Sequence, residues 1–137
     1  MKLYLAGPMT GLPHLNHPMF DRVTARLRAA GHVVISPAEK DREWGQDAAL
    51  AAKGKNSLNI HEVLRYDLKV VLDVEALVLL PSWRRSEGTR LEVIVAVSTG
   101  RRIFFWSEQN QEMIELPISE VSDLIGIPSY ARKAPAA

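Results

Sequence analysis

Four short apolar runs divide the chain, and three of them end at glycine or proline. They are "KLYLAG", "GHVVISP", "EALVLLP" and "RRIFFW", which begin at residues 2, 31, 75 and 101. Runs without strict alternation of apolar and polar residues are typical of strands buried on both faces of a parallel sheet. The pattern therefore predicts four buried strands.

Helical patterns lie between these runs, over residues 18–30, 59–72 and from about 89 to 100. Strands that alternate with helices of this length predict right-handed βαβ units. A chain of 137 residues suits one domain. We therefore predict an α/β protein with a single-domain, three-layer flavodoxin-like or Rossmann-like fold and a parallel sheet. The domain should cover residues 1–128, with a C-terminal tail at 129–137.

The segment 37–56 is polar and irregular, apart from a possible short helix at "QDAALAA". It is either a lid over a binding site or a solvated excursion. The lid is considered because long loops in compact domains are often functional. Near the end, "ISEVSDLIG" predicts a last short helix, and "YARKAPAA" is expected to be frayed.

Composition and charge exclude several classes of function. The net charge is +1 and basic residues occur at most in pairs, which argues against long nucleic acid as a partner. There is no cysteine, and the four histidines show no metal-ligand spacing. No apolar stretch approaches 18 residues, and the apolar run at the start of the chain is too short for the hydrophobic region of a signal peptide. We expect a cytoplasmic protein with no metal, no cofactor and no membrane partner.

In an open parallel sheet, ligands bind at the carboxyl ends of the strands. The first run leads into "AGPMTG", where Gly7 and Gly11 flank a turn. Its amides could meet an anion, but on this segment alone a tight strand-to-loop turn is the favoured interpretation of the glycines.

The third run leads into "PSWRRSEGTRLE", in which Ser86, Gly88 and Thr89 precede a helix. A helix N-terminus attracts anions, and the two arginines of this segment add positive charge. A capping box is the alternative, with Thr89 as N-cap and Glu92 reaching back to it. The two interpretations are compatible, because a helix start would also keep the Glu92 carboxylate ionised.

Asp67 lies within or beside the apolar stripe of the second helix, where a carboxylate needs a partner. It is either a structural aspartate, paired with Arg65 or a neighbouring turn, or an active-site acid. The stripe is predicted from four apolar residues: Ile60, Leu64, Leu68 and Val71.

These segments together resemble the nucleoside 2-deoxyribosyltransferase-like superfamily, particularly its small phage and prophage branch. The resemblance spans most of residues 1–106 and is carried by "YLAGPMTGLP", "NHPMFDRVTARLRAAGHVVISPAE", "LRYDL", "ALVLLPSWRRSEGTRLE" and "VAVSTGRRIFF". It implies that Glu92 attacks the anomeric carbon of a nucleoside or nucleotide. It also implies that Asp67 contacts the sugar or helps to protonate the departing base.

The resemblance also bears on the substrate. Nucleoside transferases of that superfamily carry an aspartate where this chain has Ser86, whereas enzymes that hydrolyse nucleoside 5′-monophosphates carry serine. It therefore implies an N-glycosidase acting on a (deoxy)nucleoside 5′-monophosphate. Phosphate and sugar would be held by six residues: Gly7, Met9, Gly11, Ser86, Gly88 and Thr89. A base-exchanging 2-deoxyribosyltransferase and a non-catalytic nucleotide-binding module are the alternatives.

Two departures from the superfamily pattern leave the base open. Glu75 stands where an aspartate usually opens the third strand, and the segment 44–59 is longer. Members of the superfamily assemble as homodimers or larger oligomers, so the apolar "IFFW" and the late "PSY" are candidate subunit contacts.

Overall fold

All four apolar runs form strands in the computed structural model of the protein, which describes residues 1–132. The strands are β1 (Lys2–Ala6), β2 (Val33–Ile35), β3 (Ala76–Leu79), β4 (Arg102–Ser107) and β5 (Glu112–Leu116). The α-helices are α1 (His17–Ala29), α2 (Pro37–Glu43), α3 (Ala48–Ala52), α4 (Ile60–Asp73) and α5 (Glu87–Ser98). None of these helices is long and apolar enough to cross a membrane.

The strands form one sheet in the order β2-β1-β3-β4-β5. The first four are parallel, as predicted, and a fifth strand that was not predicted, β5, runs antiparallel to β4 at the edge. The sequence pattern did not reveal β5 because most of its residues are exposed, and it has no buried run. The strand order reverses between β1 and β3, where their carboxyl ends open a crevice.

Helices cover both faces of the sheet, as the three-layer prediction requires. Alternate residues of a strand point to opposite faces, so Leu3 of β1 packs with α1 while Tyr4 packs with α4 and α5. The "IFFW" run lies in the core of the single chain, because Ile103, Phe104 and Trp106 are buried. It is therefore not the subunit contact that was predicted.

The segment 37–56 contains two short helices and is more regular than predicted. Helix α3 coincides with the expected "QDAALAA" helix, whereas α2 was not expected. Ser36 caps α2 by accepting a hydrogen bond from Ala38 N at 3.2 Å. The end of the segment packs on the turn after β1, since Gly11 N donates to Gly54 O at 2.8 Å.

The C-terminal region also departs from expectation. In place of a helix over 118–126, a single 3₁₀ turn spans Ile118–Glu120. The first part of the predicted frayed tail is ordered as a 3₁₀ helix, Ser129–Arg132, in which Ala131 is buried. Tyr130 Oη donates to Ser98 O at 3.1 Å and ties it to α5. The rest of the predicted tail, residues 133–137, lies outside the described residues.

Candidate functional site

A cavity of about 930 Å³ opens at the carboxyl ends of β1 and β3. The turn after β1, helices α2 and α4, and the start of α5 supply its walls. It is lined by all eight residues singled out from the sequence: Gly7, Met9, Gly11, Asp67, Ser86, Gly88, Thr89 and Glu92. The structure thus brings the predicted site residues together in one pocket, at the switch point where α/β sheets bind ligands.

The pocket rim, as we name residues 85–89, contains the start of α5. Ser86 is the N-cap, and its Oγ accepts a hydrogen bond from Thr89 N at 3.2 Å. The predicted capping box with Thr89 as N-cap was therefore wrong, because the serine three residues earlier caps the helix. First-turn amides without helical acceptors remain at this rim, where they suit an anion.

Only one of the two arginines near the rim belongs to the pocket. Arg85 lines the cavity. Arg84 instead pairs with Asp123 at 2.9 Å and donates to Glu120 O at 2.7 Å, so its charge is used elsewhere.

The glycines of the turn after β1 have structural reasons of their own. A Cβ on Gly7 would lie 2.8 Å from the Cβ of Leu80, so close packing of β1 against the end of β3 requires glycine there. The Gly11 amide is used by Gly54 and is not free for the anion that the sequence suggested. This side of the pocket therefore offers fewer free donors than predicted.

The pocket floor, as we name Tyr4, Lys40, Asp67 and Glu92, is buried. Glu92 lies in the second turn of α5, and its Oε2 has no hydrogen-bond partner among residues 1–132. Burial raises the pKa of Glu92 to about 8, and the charge of Asp67 adds to this, while the Tyr4 hydroxyl and Lys40 oppose it. The carboxyl is thus mainly protonated at neutral pH in the free protein. The expectation of an ionised Glu92 was wrong, because desolvation outweighs the helix start.

Asp67 is paired with Lys40, not with Arg65 as the sequence suggested. Lys40 Nζ lies 3.0 Å from Asp67 Oδ1 and 3.3 Å from Oδ2. Burial raises the pKa of the Asp67 carboxyl, and Lys40 counteracts this rise. The buried side of α4 carries Asp67 with Val63 and Val71, whereas Ile60, predicted on that stripe, is 54% exposed.

Sequence reasoning missed two residues of the floor, Tyr4 and Lys40. The pattern Ser36-Pro37-Ala38-Glu39 is a helix-start signature, and it would have placed Lys40 in a helix at the carboxyl end of β2. No local sequence signal distinguishes Tyr4 from an ordinary strand residue. Burial, followed by the nearby charges of Glu92 and Asp67, raises the pKa of the Tyr4 phenol well above its usual value.

The fold and pocket define an α/β protein with a crevice at the switch point of its sheet. Residues 1–105 match the family described as "Domain of unknown function (DUF4406)", and the chain belongs to that family. Comparison with curated proteins gives no match.

Proposed function

We propose that the protein is an N-glycosidase that cleaves the base–sugar bond of a (deoxy)nucleoside 5′-monophosphate. The observation that carries the proposal is the polarity of one pocket, which joins a rim suited to phosphate to a floor with two buried carboxyls. A nucleoside monophosphate has matching ends, since its phosphate is anionic and its anomeric carbon becomes cationic during cleavage.

Glu92 is the nucleophile in this proposal. One carboxylate oxygen bonds to the anomeric carbon while the bond to the base nitrogen breaks, and the base leaves with the bonding electrons and takes up a proton. Water then hydrolyses the glycosyl ester, which frees the sugar 5-phosphate, restores the Glu92 carboxylate and releases one proton. The net reaction consumes one water and yields free base and sugar phosphate.

Asp67 orients the sugar or assists departure of the base. Its raised pKa favours the second role, because a carboxyl that titrates closer to neutral pH can take up and release the proton more easily. Ser86, Gly88 and Thr89 hold the phosphate with Arg85, while Gly7, Met9 and Gly11 shape the opposite wall.

A non-catalytic nucleotide-binding module is the second candidate. The protonated state of Glu92 favours it, because a protonated carboxyl is a weak nucleophile. A glycosidase must therefore react through the minor ionised form, and a binding module needs no such form.

Free-base release separates these candidates. Ribo- and deoxyribonucleoside 5′-monophosphates and the corresponding nucleosides are incubated with the protein, and released base is measured by chromatography. We expect release from monophosphates, reduced at least about 10³-fold in Glu92→Gln with binding retained. Glu112→Gln is the matched control, since Glu112 is exposed on β5 and is not among the residues that line the pocket. A second free base in the mixture detects transfer.

Absence of release from every substrate, with or without an acceptor base, would reject both enzymatic functions. Nucleotide binding without turnover would then support the binding module, and it is measured by a ligand-induced rise in melting temperature.

We further propose that the protein acts in the cytoplasm as a homodimer or larger homo-oligomer. Apolar side chains at the pocket mouth support an assembly, because Ile60 and Leu91 line the pocket and are 54% and 38% exposed. Light scattering coupled to size-exclusion chromatography tests it, and a monomeric mass at all concentrations would reject it.

A further inference from the structure

Lys40 is a buried cation within the candidate pocket. Its side chain is only 4% exposed and lines the cavity. Besides its two contacts with Asp67, Nζ lies 3.1 Å from Asp41 Oδ1. A buried ammonium group is costly unless it is paired and hydrogen bonded. Its two carboxylate partners meet that requirement.

Two aromatic rings complete the surroundings of the ammonium group. Nζ lies 5.4 Å from the ring centre of Trp44 and 5.8 Å from that of Tyr66. Both rings are partly exposed, and an aromatic face attracts a cation at this distance. These contacts favour a charged Lys40 held in one place.

Charged and titratable groups face Lys40 from several packed elements. Helix α2 contributes Asp41, helix α4 contributes Asp67 and Tyr66, helix α5 contributes Glu92, and strand β1 contributes Tyr4. Helix α1 adds His17, whose Nε2 lies 3.5 Å from Asp41 Oδ2. Within this cluster, the Lys40 amine contacts the Asp67 carboxylate of the floor directly.

We infer that Lys40 is a positioning residue that holds the Asp67 carboxylate in the pocket and supplies the cation that stabilises the ionised forms of Asp67 and Glu92. Its consequence for base release rests on the proposed function, whereas the charge state of the two carboxyls does not. In support, Lys40 lowers the pKa of both carboxyls, while the neighbouring Asp41 raises that of Asp67. Lys40 and Asp41 therefore oppose one another at Asp67.

Because Lys40 and Asp41 act in opposite directions on Asp67, replacing each of them should shift the Asp67 titration in opposite directions. The carboxyl carbons of Asp67 and Glu92 are titrated by NMR in the wild type, Lys40→Met and Asp41→Asn. Lys40→Met should move both titrations to higher pH by about one unit or more, which is a tenfold change in the ionisation equilibrium. Asp41→Asn should move the Asp67 titration to lower pH. Unchanged titrations, or shifts of the same sign in both variants, would overturn the inference.

Lys40→Arg retains the cation and should leave both titrations within about half a pH unit of the wild type. Should Lys40→Met not fold, the variant Lys40→Met/Asp41→Asn decides, because it removes one charge of each sign. Its Glu92 must titrate at higher pH than in Asp41→Asn alone, and an equal value would refute the role of Lys40.

The activity arm distinguishes failure of this inference from failure of the proposed function. If base is released, Lys40→Met should shift the pH dependence of kcat/KM upwards together with the titrations, and an unshifted profile would contradict the positioning role. If no base is released, the titrations still test the inference while the N-glycosidase proposal falls.

Discussion

The rim and the floor of the pocket differ in how they are built. Four consecutive residues, 86–89, supply most of the rim, and its chemistry comes from a helix start. The floor takes one residue from each of four elements: Tyr4 from β1, Lys40 from α2, Asp67 from α4 and Glu92 from α5. The rim therefore depends on local backbone geometry, whereas the floor depends on the whole tertiary structure.

The two regions also differ in solvent contact, and this decides how their charges behave. Ser86 is half-buried and Arg85 is exposed, so water moderates charges at the rim. Glu92 is 6% exposed, so its charge is costly in the low-dielectric interior. Substitutions at the floor should therefore change protonation and stability, while substitutions at the rim should change ligand preference.

Replacing Glu92 should have the largest effect on stability, and the effect should depend on pH. The folded pKa of about 8 lies above the ordinary 4.5, so the folded protein retains a proton that the unfolded chain loses. The wild type should thus lose stability as pH rises from 4.5 to 8, at up to about 1.4 kcal/mol per pH unit. Glu92→Gln removes this loss.

Guanidinium unfolding of both proteins at pH 5 and pH 9 measures the difference. We expect the advantage of Glu92→Gln to grow by several kcal/mol between these values, on the order of the integrated pKa difference. A difference independent of pH would mean that Glu92 titrates normally and that the floor does not differ from the rim.

A charge introduced at the rim should change substrate preference without disturbing the helix. Aspartate and asparagine both cap helices well, so Ser86→Asp and Ser86→Asn should fold equally. Only the aspartate repels phosphate, and it should lower the preference for monophosphates over nucleosides by roughly 100-fold. The measurement is the ratio of kcat/KM values for base release. Equal ratios in the two variants would show that the substrate phosphate does not bind at this rim.

The pH dependence of catalysis tests the protonation state of the floor. If the ionised form of Glu92 attacks the sugar, kcat/KM should rise about tenfold per pH unit below pH 8 and level off above it. Measurements should begin near pH 6.5, because the phosphate second pKa of about 6 would otherwise add its own slope. Activity that falls above pH 8 would instead indicate that the protonated form of Glu92 is active and acts as a general acid.

The smallest effect should come from a glycine at the rim. A Cβ on Gly88 would approach no atom nearer than Ser86 Oγ at 4.0 Å, so Gly88→Ala should raise stability by about 0.5–1 kcal/mol. It should nevertheless weaken monophosphate binding if the phosphate approaches the backbone. Gly7→Ala is the contrasting variant, since its clash with Leu80 should destabilise by about 1–3 kcal/mol. Unchanged affinity in Gly88→Ala would leave this glycine without a functional reason.

Local patterns predicted the fold well where strands coincide with continuous apolar runs. The four apolar runs became β1 to β4, and their alternation with helices predicted three layers. The pattern failed at β5, because an exposed edge strand has no continuous apolar run. It also misplaced the start of α5 at Thr89, whereas the folded backbone makes Ser86 the N-cap.

The sequence by itself determined the four parallel strands of the sheet, the presence of a helix start after β3, and eight of the residues that line the pocket. Only the tertiary structure decided that Lys40 is the partner of Asp67 and that Glu92 is desolvated and mainly protonated. The physical reason is that capping and strand burial depend on neighbours in the chain. The charge of a buried carboxyl depends on solvent exclusion and on groups brought from distant segments.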